Sequence, residues 1–489
     1  MPSARKLELK TTTHGHTTLP LPLSTKLGYA TGNLAMGIMA NSIVLWLLLY
    51  YTDIVGLSGT LAGVALAVGR FWDAITDPMM GHISDRTRIR LGRRRAYILF
   101  GSPLLAAAFF LLWCPPMERS QELTFAYLMV VQLLFTTAQT VVMVPYGALG
   151  AELTMDYHER NSVMAYQQGT LLVGMVIGAC LINLASVIGM KLDPATAGTS
   201  THGTLQALVS ANSYGRSQGS GFRIAALALA AIIVLSYAWS VRSTRENPAF
   251  QRYSTMPPLR SLLSTLKNRP FRIYILAFLV STTVAHIGVF MLPYIVIHWL
   301  HKPGYVLPGY VMYAFWVLVS LPVWRSLGQR LEKKDCYRLS LTCTTMAAFL
   351  FLLIVRPSWP ASVLVWGALA GMSNGGALMY APSMMADIID TDELESGLRR
   401  EGSFMGVNSF VMKCATSLGA LWVGPGLTLV GYNGQASTQS DRTLLMMRLM
   451  YVLPALIYLC VIAIMSRFPL TSRAMAEVRR TIDERQRSS

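Results

Sequence analysis

Twelve stretches of this chain are apolar over the length of a bilayer core, and that fact restricts its fold more than any other. They run roughly over 24–51, 59–82, 96–114, 122–147, 162–189, 223–241, 271–298, 308–324, 339–355, 361–386, 403–430 and 443–466. In hydrocarbon each span must satisfy its own backbone polar groups, so stretches of this length fold as helices. Composition agrees: 53% of the residues are apolar and only 13% charged. The sequence predicts an all-α membrane protein of twelve transmembrane helices, not a soluble domain.

The formal net charge of +17 is topological and not a nucleic-acid footprint. One set of loops is dense in Lys and Arg: Arg86 to Arg95, Arg242 to Arg269 and Arg325 to Arg338. The opposite loops hold few, such as Arg119, Lys191, Lys302 and Arg356. The positive-inside rule then places both termini in the cytoplasm, and the expected location is the plasma (inner) membrane. Contact with anionic lipid follows from the same charges. Met1 to Pro22 lacks the apolar core of a signal peptide, so 1–23 reads as a disordered cytoplasmic tail. Residues 24–241 and 270–466 form two six-helix bundles, 242–269 the central cytoplasmic loop and 467–489 a second tail. The six cysteines lack paired spacing and read as packing residues. The expected working unit is a monomer.

Within the second span, Asp73 and Asp77 lie one helical turn apart and share a face, with Arg70 one turn before them. An aspartate at bilayer depth costs about 2.5–3.5 kcal/mol on insertion scales. Two of them should therefore face a bundle interior or a wet cavity and bind something positive, unless Arg70 neutralises them as a buried ion pair. Lys413, ten residues into the eleventh span, is the second expensive charge. By helix rise it lies about 15 Å from the span's inner end, too far to snorkel easily. The only carboxylates at comparable depth are Asp73 and Asp77, so Lys413 is expected to reach them across the interface between halves. Arg448 lies nearer an end and is expected to snorkel.

Other polar residues at depth are weaker candidates. Asn33, Gln139, Tyr166, Gln168 and Asn374 could line a polar substrate cavity, although interhelical hydrogen bonding explains such residues equally well. Thr140 by itself would be read as bonding back to its own helix. Glycines at four-residue spacing (Gly28/Gly32, Gly174/Gly178, Gly367/Gly371/Gly375) mark close helix packing. His298 and His301 read as interfacial histidines and not as metal ligands. GRSQG (215–219) matches a hydrolase motif but lacks the flanking strand and helix, and reads as linker. Pro145 to Ser162 is echoed by Pro382 to Ser403 after the fourth and tenth spans, an internal repeat of the kind found in secondary transporters.

GRFWDAITDP, with Asp85-Arg86 and Gly92-Arg93-Arg94-Arg95 following, resembles the major facilitator superfamily, specifically its glycoside–pentoside–hexuronide:cation symporters. KLGYATGN in span one, VPYGALGAELT after span four and MMADIID…RREGSF…Lys413 near span eleven extend the resemblance over nearly the whole chain. It implies that Asp73, Asp77 and Thr140 hold Na+ or H+, with Thr76 where the melibiose carrier of that family has an asparagine ligand. A lysine like Lys413 is also a family feature. The galactoside residues do not carry over: Gly37, Met143 and Gln168 occupy their places. DAITDP is also similar to the lysophosphatidylcholine transporters of the superfamily.

The expected activity is cation-coupled symport of a small hydroxylated solute such as a sugar or glycoside by alternating access, with lysophospholipid as the alternative substrate. No cofactor is implied beyond the coupling ion. The arginine loop (Arg86, Arg93, Arg94, Arg95) is expected to pair with Asp85, Glu152 or Asp156 and hold the outward-facing state. Neither charge rings of a channel nor a nucleophile–base pair of an enzyme is evident.

Overall fold

The computed structural model describes residues 21–87, 89, 91–116, 120–153, 157–192, 216–246, 265–396, 400–434, 436 and 438–488. Twelve long helical segments follow in chain order: α1 (Leu23–Ser42), α2 (Gly59–Arg86), α3 (Arg95–Leu112), α4 (Gln121–Glu152), α5 (Tyr157–Ala179, resuming as Leu181–Leu192), α6 (Arg216–Ser243), α7 (Arg269–Tyr294), α8 (Val306–Leu327), α9 (Lys333–Ile354), α10 (Ser362–Ser396), α11 (Glu401–Leu429) and α12 (Asp441–Val452, continuing to Met465). The tail after 467 holds a further helix, α13 (Ser472–Ser488). Eight of the twelve are apolar enough to cross a membrane by length and composition alone. Those that fall short are α2, α5, α10 and α11, and two of these carry Asp73, Asp77 and Lys413. An even number of crossings returns the chain to the face it started from, called here the near face.

Two expectations are corrected. The GRSQG stretch is not linker throughout, because Arg216 to Gly219 form the first turn of α6. Arg448 does not snorkel. Its guanidinium stacks 4.0 Å over the Trp299 ring and donates to the Leu352 carbonyl, so a cation–π contact keeps it inside.

Small residues set the helix spacing where the sequence placed them. A Cβ on Gly37 would lie 2.3 Å from the Leu171 carbonyl, and one on Gly174 2.2 Å from the Leu34 carbonyl, so α1 and α5 touch backbone to backbone. In the other half Gly371 meets the Tyr313 carbonyl of α8 in the same way. Between the halves, a Cβ on Gly424 of α11 would stand 2.4 Å from the Gly59 carbonyl of α2. The Ser417 hydroxyl donates to the Ala67 carbonyl two turns deeper.

The described polar contacts between the halves all lie from the depth of Asp73 and Asp77 toward the far face. They include Thr60 N–H to Thr428 (3.0 Å), Thr52 with Tyr294 (2.9 Å) and Asp53 with His298 (2.7 Å). The near-face charges pair within their own halves: Lys26 with Glu159, Lys333 with Asp387 and Arg400 with Asp392. The halves are therefore joined on the far side.

Candidate cation site

Helix α2 begins with Ser58 capping it, its hydroxyl accepting from Leu61 N–H. Its register then presents Asp73, Thr76 and Asp77 to α4 and α11. Pro78 follows at once inside the helix. It has no N–H, so the Ala74 carbonyl loses its intrahelical donor exactly where the acids sit.

Thr140 of α4 stands between the acids, its hydroxyl 2.8 Å from Asp73 Oδ1 and 3.0 Å from Asp77 Oδ1. Thr76 Oγ1 lies 3.1 Å from Thr140 Oγ1 and also donates to the Trp72 or Asp73 carbonyl. On the opposite edge, Lys413 Nζ bonds Asp73 Oδ2 at 2.8 Å and pairs with Asp77 Oδ2. Five residues singled out from sequence thus form one cluster spanning both halves. Its two acids differ in access: the Asp73 side chain is 5% exposed and that of Asp77 32%. Asp77 is the more accessible of the pair.

Donors and acceptors do not balance here. Two carboxylate oxygens and two hydroxyl oxygens crowd together with two hydroxyl protons between them, and backbone carbonyls compete for the Thr76 proton. Such a nest of lone pairs favours a hard cation or a proton. The ammonium of Lys413 supplies one positive charge to two negative ones.

Arg70 is not the acids' ion-pair partner; among the described residues no carboxylate lies within 4 Å of its guanidinium. It instead lines a small cavity of about 10 Å³ between the halves with Phe290 and Thr416, room for a single water. The weaker candidates do not gather around the acids. The Asn33 amide donates to the Gln167 carbonyl and ties α1 to α5, while Asn374 donates to the Tyr313 hydroxyl and ties α10 to α8. Tyr166 and Gln168 are exposed on α5. The Gln139 side-chain oxygen is buried without a partner among the described residues.

In the arginine loop the described bonds run to a different acid. The backbone N–H groups of Arg93, Arg94 and Arg95 all donate to the carboxylate of Glu246, at 2.8–3.0 Å, capping α3. The Arg95 guanidinium donates to the Val241 carbonyl at the end of α6. Glu246 was not anticipated, and it belongs to the same half, so these bonds fasten α3 to α6 rather than half to half. Arg86 is exposed at the end of α2; Asp156 and the side chains of Asp85 and Glu152 lie outside the described residues.

This arrangement of two six-helix sets around a mid-membrane charge cluster is that of a secondary transporter. Residues 28–472 match the family described as MFS/sugar transport protein, and the chain belongs to that family. It is 27% identical to an uncharacterized symporter of Synechocystis, over 96% of this chain and 98% of the relative. It is 26% identical to the glucuronide carrier protein homolog of Escherichia coli, over 95% and 96%. It is also 26% identical to sodium-dependent lysophosphatidylcholine symporter 1-A of Danio rerio, over 88% and 82%. Among solved structures, an inward-facing, unoccupied bacterial homologue of the lysosomal transporter Spinster superposes with a TM-score of 0.67 at 12% identity, covering 93% of this chain and 97% of that one. The protein is a multi-pass membrane transporter of symporter type, not an enzyme, and needs no cofactor because a coupling ion is itself a substrate.

Proposed function

We propose that the protein carries a small hydroxylated solute, such as a sugar or glycoside, together with Na+ or H+ by alternating access. The observation that supports this best is the surplus of oxygen acceptors at Asp73, Thr76, Asp77 and Thr140. The cation enters by the wetter acid, Asp77, and joins or displaces Lys413 there. That exchange loosens a tie between the halves, which is how ion binding can bias their rocking. Sodium is the first ion to test, since one relative is named as sodium-dependent. With the arginine-rich near face cytoplasmic, the far-side junction corresponds to an inward-facing carrier.

The glucuronide carrier homologue supports a glycoside. The lysophosphatidylcholine relative supports a second reading, in which the solute is a lysophospholipid. Purified protein in liposomes separates these: saturable counterflow of a glycoside that rises with an imposed sodium or proton gradient is expected. Thermal stabilisation by lysophosphatidylcholine and by no glycoside, with and without sodium, would transfer the assignment to the lipid.

A further inference from the structure

The first helix of each half leaves α geometry at the far face. The last turns of α1 are π-helical over Ile43–Leu47 and Tyr50–Ile54, and the continuation of α7 is π-helical over Ile295–Trp299. Such turns are rare and concentrate at functional positions. Here they occur at corresponding places in the two halves, and they bring together two residues 245 apart in sequence. His298 Nε2 lies 2.7 Å from Asp53 Oδ2, with the side chains 6% and 1% exposed.

The pair is enclosed by further donors. The Tyr432 hydroxyl, from the turn after α11, donates to Asp53 Oδ1 at 2.8 Å and lies 2.6 Å from His298 Nε2. The Thr52 hydroxyl bonds Asp53 Oδ1 at 2.7 Å and meets the Tyr294 hydroxyl at 2.9 Å. Gly434 lies over them: a Cβ there would stand 2.6 Å from the Thr52 carbonyl and 2.8 Å from Asp53 Cα. Burial of a carboxylate costs several kcal/mol unless donors surround it. Thr52 is its neighbour in the chain, but His298 and Tyr432 both come from the other half.

We propose that Asp53 and His298 are the far-face gate of the carrier, a latch that must part before the central site opens to that side. The proposal rests on the alternating-access reading, and goes beyond it by naming residues that take no part in holding ion or solute. Its strength sets how much of the population is closed on the far face. Removing one charge-assisted bond of this kind shifts the closed-to-open ratio by about tenfold.

The test is a spin-label distance between the far-face ends of the halves, with Ser120→Cys and Ser358→Cys in full-length protein whose six native cysteines are replaced. Asp53→Asn and His298→Gln should each move population to a longer distance, and the double variant should move it no further than either alone. Tyr432→Phe, a milder change in case the first two fold poorly, should shift it in the same direction. Sodium-dependent tryptophan fluorescence should survive in all of them, so that a failed gate is told apart from a failed cation site. Distance distributions identical to the parent in well-folded Tyr432→Phe and either charge variant would overturn the gate.

Discussion

Among the described residues, two acid–base contacts join the halves, and they are built to opposite ends. At the far face one carboxylate, Asp53, is met by His298, Tyr432 and Thr52, and its acceptors are filled by the protein itself. At mid-membrane two carboxylates share one lysine and one central hydroxyl, and acceptors are left over. A saturated acid holds a conformation; an unsaturated pair invites a ligand. The ratio of donors to acids, more than the depth or charge of either contact, sets the two apart.

That contrast can be broken experimentally, most severely at the acids. Asp73→Asn or Asp77→Asn should lower cation-driven uptake by about a hundredfold or more, with the protein still in the membrane. Uptake that remains coupled to sodium and protons in both variants would remove the central site from the mechanism. Lys413→Met leaves two acids uncompensated and should destabilise the protein by about 2–3 kcal/mol. If the lysine is a tethered counter-ion, sodium should raise the melting temperature of this variant more than that of the parent; an equal response to sodium refutes that role. Thr140→Val, which keeps shape and removes the hydroxyl, should weaken the apparent cation affinity by about tenfold, read from fluorescence titration. The smallest effect concerns Glu332, whose carboxylate caps α13 through Ser472 N–H and Oγ. Those hydrogen bonds, Ser472's hydroxyl first, hold its carboxyl below the ordinary value. Its contribution is therefore complete above that ordinary value and disappears as the pH falls through the lowered one. The protection factors of the α13 amides, with the intrinsic pH dependence of exchange divided out, should fall on acidification, and Glu332→Gln should abolish that fall.

The helix count and the central cluster were legible because hydrocarbon makes charge conspicuous. Asp73, Asp77 and Lys413 interrupt apolar runs, and apart from Arg70 only one another could serve as partners at that depth. Glu246 gave no such signal, since an acid beside a basic loop is ordinary; only the fold shows its carboxylate aimed at three N–H groups at the start of α3. Asp53 and His298 stand at span ends, where aromatic and polar side chains are common and carry little signal. Nothing in the local pattern announces that two equivalent helices relax into π turns and meet. Depth alone does not place Arg448, because the Trp299 ring offers its guanidinium a partner inside the bundle. Asn33 and Asn374 show the limit of polarity as a guide to cavities, since both serve as rivets between neighbouring helices.

The bare contact of Gly59 with Gly424 has a mechanical corollary. At its tightest point that seam is backbone against backbone, which no local side-chain rotation can open. Separation there requires whole rods to tilt, which makes leakage through a half-parted carrier rare and ties the fidelity of coupling to the absence of two methyl groups.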